Sequence, residues 1–121
     1  MLPDLALKRA YDAADPSDGC RVLVDRLWPR GVSKEVLKVE RWWKEIAPST
    51  QLRQAFAHKE DRFAEFAEHY RDELNANPRG PEFLSWVRER LSAGRVSLIY
   101  AAKDTLHNQA VVLKDWILER L

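Results

Sequence analysis

Arg21-Val22-Leu23-Val24-Asp25 is the stretch from which the rest of the chain can be read. Its apolar centre is continuous, short and bounded by charge, which is the pattern of a strand covered on both faces. A second run of this kind, Val96-Ser97-Leu98-Ile99-Tyr100-Ala101, stands far downstream. Upstream, Leu5 and Leu7 alternate with Ala6 and Lys8, so residues 5–9 predict a further strand. Between the strands the period changes. Phe63, Phe66, Ala67, Tyr70 and Leu74 form one helical stripe over residues 61–74. Pro81 opens the next helix, Phe83, Leu84, Val87 and Leu91 line its face, and Gly94 stands at its end. Ser33 caps a helical turn over 34–37, and Ser49 caps a short helix over 51–57. Asp104 or Thr105 caps a last helix over 106–119, with Ala110, Leu113 and Ile117 inward. Residues 12–19 read as a loop, and residues 40–47 as an irregular or extended segment ahead of Pro48. Strands separated by helices predict an α/β fold, with a small, mainly parallel sheet of three or four strands flanked by helices, in one domain over residues 1–121.

Composition narrows the function classes. The 20 basic residues nearly balance 19 acidic ones, so nucleic acid is not an expected partner. The single cysteine, Cys20, excludes an internal disulfide and a cysteine-rich zinc site. His58, His69 and His107 lack metal-ligand spacing, so no metal is expected and no cofactor is named. No apolar run approaches the ~20 residues of a membrane span, and the first residues do not read as a signal peptide. The expected setting is the cytoplasm, without a membrane partner.

Two loops carry the candidate chemistry. The first, Asp25-Arg26-Leu27-Trp28-Pro29-Arg30-Gly31, leaves a strand abruptly. Arg26 and Arg30 present forked donors suited to an anion, with Trp28 as an apolar wall. Alternatively, Asp25 pairs with one of these arginines to fix the turn, and Trp28 belongs to the core. The second loop runs from Tyr100 to Asn108 and opens the last helix, where unpaired N–H groups favour anions. Lys103, His107 and Asn108 then contact a ligand, and His107 can move a proton near neutral pH. Alternatively, Asp104 is a plain helix cap, Lys103 is solvated and His107 covers the sheet. Ser49 either caps the short helix or, with Thr50 and Arg53, edges the same pocket, whereas His58 reads as a helix-end residue. If the two strands are parallel neighbours, both loops meet at their carboxyl ends, where open α/β sheets bind ligands.

Three motifs in order, residues 23–31, 47–53 and 98–110, resemble domain of unknown function family 488 in its YeaO-like branch. The resemblance spans nearly the whole chain and implies a small bacterial cytoplasmic α/β protein, without assigning an activity. It places recurring residues at Asp25, Arg26, Trp28, Pro29, Arg30 and Gly31, and at Pro48, Ser49, Leu52 and Arg53. In the last motif they are Tyr100, Lys103, Asp104, His107 and Asn108. The chain departs from wider family members, which carry a Cys-His-Arg triplet near the last helix; His107-Asn108-Gln109-Ala110 stands here instead. Anything resting on that triplet does not transfer.

Three functions are thereby set against one another. The leading one is a site for an anionic small molecule, phosphate-like or nucleotide-like, formed by Arg26, Trp28, Arg30, Ser49, Arg53, Tyr100, Lys103 and Asn108. The second is an enzyme with His107 as general acid or base, oriented by Asp25 or Asp104. The third is a non-catalytic interaction or regulatory protein, including a homodimer, because extended backbone at Trp42-Trp43 would send one ring outward.

Overall fold

The computed structural model describes residues 3–121. Four strands, β1 (Leu5–Arg9), β2 (Cys20–Leu23), β3 (Arg41–Trp42) and β4 (Val96–Tyr100), form one sheet in the order β1-β4-β2-β3. Every pairing is parallel, so all four strands end at the same edge. Five helices surround the sheet: α1 (Lys34–Leu37), α2 (Thr50–Phe56), α3 (Phe63–Ala76), α4 (Gly80–Ala93) and α5 (Gln109–Arg120). This is the α/β architecture that the alternation of strand and helix patterns predicts.

The continuous apolar strands follow from a sheet with a core on each face. Val22, Val24, Val96, Leu98 and Tyr100 enter the larger core, which α3, α4 and α5 complete with Phe66, Phe83 and Leu113. Leu23 and Ile99, at alternate positions, enter a smaller core with Leu37 of α1. Each large apolar side chain so buried contributes about 1.5–3 kcal/mol. Trp42 and Trp43 divide in the same way. Trp43 is fully buried in the larger core, and Trp42 is half-buried beside the smaller one, edge-on to Trp28 at 5.5 Å between ring centroids.

The crossover from β1 to β2 is held by charge. Asp18 is buried and accepts from Lys8 Nζ at 3.0 Å and Arg21 Nη1 at 2.8 Å, while its carbonyl accepts from Ser97 Oγ at 2.7 Å. Burial pushes the Asp18 carboxyl up, but the Asp15 N–H and the two cations outweigh it and hold it below its usual range. Gly19 follows with φ 68°, and a Cβ there would stand 2.2 Å from the Arg95 carbonyl. Only glycine lets β2 begin against β4, where Cys20 N donates to that same carbonyl at 2.8 Å.

Ser33 and Ser49 cap α1 and α2, accepting from the N–H groups of Val36 and Leu52. Gly94 ends α4. The last helix differs from the sequence expectation. Its cap is Asn108, which accepts from Val111 N, and α5 begins at Gln109 rather than at 106. Asp104 instead accepts from the N–H groups of Leu106 and His107, closing a local turn that delays the helix. Segment 40–47 also resolves further than expected, into the two residues of β3 and a 3₁₀ turn over Lys44–Ile46. No helix among the described residues is long and apolar enough to cross a membrane.

Candidate functional site

A groove of about 590 Å³ opens at the carboxyl edge of the sheet. The loop of residues 25–30 after β2 forms one wall, residues 101–104 after β4 form another, and Pro48, Arg53, His58 and Gln109 complete it. Its size falls within the ~300–1,000 Å³ of ordinary ligand sites. The two loops meet because β2 and β4 are parallel neighbours, paired from Cys20 with Val96 to Leu23 with Ile99.

Asp25 lies deep in the groove. Its Oδ2 accepts from Ala101 N at 2.9 Å, and its Oδ1 accepts from Gln109 Nε2. Burial raises its carboxyl from an ordinary 3.8 to about 6, against the pull of the Ala101 N–H, the Arg53 charge and Gln109. Asp25 therefore ties one loop to the other and to the first residue of α5. It does not pair with either arginine of its own loop.

Arg26 lines the groove, but two of its donors are engaged. Nε donates to the Pro48 carbonyl at 3.0 Å and Nη2 to the Ala47 carbonyl at 3.1 Å, which fastens the loop to the segment before α2. Trp28 is also fixed, with Nε1 donating to Val32 O at 2.6 Å. Trp42 Nε1 donates to Asp25 O at 2.7 Å from below the same loop. Arg30, Arg53 and Lys103 differ from these. All three are exposed groove residues, and among the described residues their side chains make no hydrogen bond or ion pair. Asp104 is on the wall, with its carboxylate turned to the backbone of Leu106 and His107.

The remaining expected site residues lie off the groove. Ser49 accepts from Leu52 N, and its Oγ donates to Glu73 Oε2 at 2.6 Å, so its hydroxyl belongs to the start of α2. Tyr100 is buried in the larger core, as its inward place on β4 requires. Asn108 is fully buried and caps α5 while donating to Asp104 O at 2.8 Å. His107 packs edge-on to Phe63, with Nδ1 2.9 Å from Asp104 Oδ2 and Nε2 3.6 Å from Glu60 Oε1. It meets one of the two carboxylates expected to orient it, and its ring is directed to α3 rather than to the groove. Two lining residues escaped the sequence reading. Gln109 was hidden by the misplaced start of α5. His58 looked like a plain helix end, yet it follows Ala57 with both residues at positive φ, 48° and 54°, and this turn brings it to the groove. No cluster of three or more metal-ligating side chains occurs among the described residues.

The loops that form this groove carry the motifs by which the chain compares with other proteins. It is 43% identical over 114 residues to the uncharacterized protein YeaO of Escherichia coli, covering 94% of this chain and 96% of that one. It is 38% identical over 105 residues to the uncharacterized protein Rv3073c of Mycobacterium tuberculosis, covering 87% and 86% of the two chains. The uncharacterized protein Mb3100c of Mycobacterium bovis is similar to the same degree. No solved structure matches the chain. The family model described as the inactive DUF488-N3 subclade matches residues 4–121, and the chain, aligned with it almost from end to end, belongs to that family.

Proposed function

We propose that the groove binds a small anionic ligand, through phosphate-like or carboxylate oxygens, without turning it over. The observation that carries this reading is the contrast among its cations. Arg26 is bonded to backbone carbonyls, whereas Arg30, Arg53 and Lys103, on the rim of one concave site, have no side-chain partner among the described residues. Charge-assisted hydrogen bonds to an anion are worth about 1.5–3 kcal/mol each, roughly twice those between neutral groups. Such a ligand would sit at the carboxyl ends of parallel strands, the common place for ligands in open α/β sheets. Against a general acid or base, the one histidine that the sequence suggested is held by Asp104 and Glu60 away from the groove. The description of the matching subclade as inactive points the same way. A reducing cytoplasm suits the single free thiol, whose pKa burial raises to about 12, with Glu40 beside it adding to the effect.

Calorimetric titration with inorganic phosphate and pyrophosphate tests the reading. Binding is expected, weakening about tenfold in Arg53→Ala and again in Lys103→Ala, with the melting temperature nearly unchanged. Absence of binding at roughly millimolar protein and ligand, or affinity indifferent to both substitutions, would overturn it.

A further inference from the structure

A second hollow of about 240 Å³ adjoins the groove and shares Pro48, Arg53, His58 and Gln109 with it. Its own walls are of another kind. Phe56 and Phe66, stacked at 4.5 Å between centroids, stand behind Thr50 and Gln54 of α2. By itself the hollow is below the ~300 Å³ at which ligand sites begin, so it has the size of a substituent and not of a whole ligand. His58 stands where the two spaces join, its ring 5.8 Å from that of Phe56. The backbone that holds it there is uncommon, since Ala57 and His58 are consecutive left-handed residues and neither is glycine. Glycine would suit that backbone best, and an imidazole occupies the position instead.

We propose that the ligand is bipartite: an anionic group held by Arg53 with Arg30 and Lys103, joined to an aromatic ring that passes His58 into the hollow beside Phe56. This rests on the anion-binding reading above and adds the chemical class of what the anion carries. A ring, rather than an alkyl chain, fits walls that are themselves aromatic, because offset and edge-on ring pairs gain beyond their buried area. Thr50, Gln54 and Gln109 supply polar atoms for the edge of a heteroaromatic ring.

Phenyl phosphate and methyl phosphate have equal charge and differ in the ring, so their affinities for the intact chain form the test. Phenyl phosphate is expected to bind about tenfold more tightly. That ratio should fall to within about twofold in His58→Ala, and also in Gln54→Trp, which fills the hollow from an exposed position of α2. Equal affinities for the unaltered chain, or a ratio surviving both substitutions, would overturn the bipartite ligand and leave the anion site standing. Failure of both phosphates to bind would remove both proposals.

Discussion

The two loops that border the groove have the same place in the fold and are built differently. The loop after β2 is held from outside itself: Arg26 reaches the carbonyls of Ala47 and Pro48, and Trp42 reaches up to Asp25 O. The second half of the loop after β4 is held by its own residues, with Asp104 bonded to the N–H groups of Leu106 and His107, and Asn108 bonded back to Asp104 O. Other elements support it as well: Arg9 donates from Nε to Ala102 O at 2.9 Å and from Nη2 to Ala101 O at 3.3 Å, Asp25 of the first loop accepts from Ala101 N at 2.9 Å, and Glu60 faces His107. The contrast shows that a charged residue in a loop motif has two quite different uses. It can fix the loop, or it can be left free by a loop that other residues fix.

Removing the external fastening should have the largest effect. Arg26→Ala strips the donors from two carbonyls and frees the first loop, with an expected loss of about 3 kcal/mol in urea unfolding. Arg26→Lys should recover only part of it, because one ammonium cannot reproduce the fork. A loss under about 0.5 kcal/mol would show that the loop does not depend on this clasp.

Asp25 joins the two loops and gives a pH-dependent test of that junction. Its folded pKa of about 6 exceeds the ordinary 3.8, so the ionised form is disfavoured in the folded chain. This group therefore costs nothing below about pH 4, reduces stability progressively between about pH 4 and 6, and has its full cost above that range. Asp25→Asn removes the cost while keeping an acceptor for the Ala101 N–H. The variant is expected to be about 1–2 kcal/mol more stable than the parent at pH 7.5. The difference should vanish near pH 4, and thermal melts across that interval would check it.

The smallest effect belongs to the loop after β4. His107→Ala should cost about 0.5–1 kcal/mol through lost contact with Phe63, Asp104 and Glu60. It should leave phosphate affinity within about twofold. A tenfold loss of affinity would instead place His107 in contact with the ligand and revive the acid–base alternative.

The same contrast explains what the sequence made legible. Strands β1, β2 and β4 were readable because both sheet faces are covered, which turns their hydrophobicity into short continuous runs or alternation. The caps Ser33 and Ser49 were readable because their partners lie three residues on. β3 was not, since two residues are too few to show a period. The positions of Arg30, Arg53 and Lys103 could be nominated, but their difference from Arg26 could not. It depends on the Ala47 and Pro48 carbonyls, which only the folded chain brings to that guanidinium. The place of α5 shifted because Asp104 and Asn108 are both good caps, and competition between them is settled by which side chain the surrounding structure buries. His58 carried no pattern at all, as a left-handed alanine and histidine leave no compositional mark.

The strand order has a consequence for biosynthesis. β4 is inserted between β1 and β2, so the first two strands have no direct partner in each other. During translation they must wait until the polypeptide beyond Tyr100 has cleared the ribosome before the central ladder can zip. Sequence-distant parallel pairing of this sort is slow to nucleate, and the nascent amino-terminal segment stays open to misassociation meanwhile. A circular permutant in which β4 is synthesised next to β1 would shorten that exposure without altering the finished sheet.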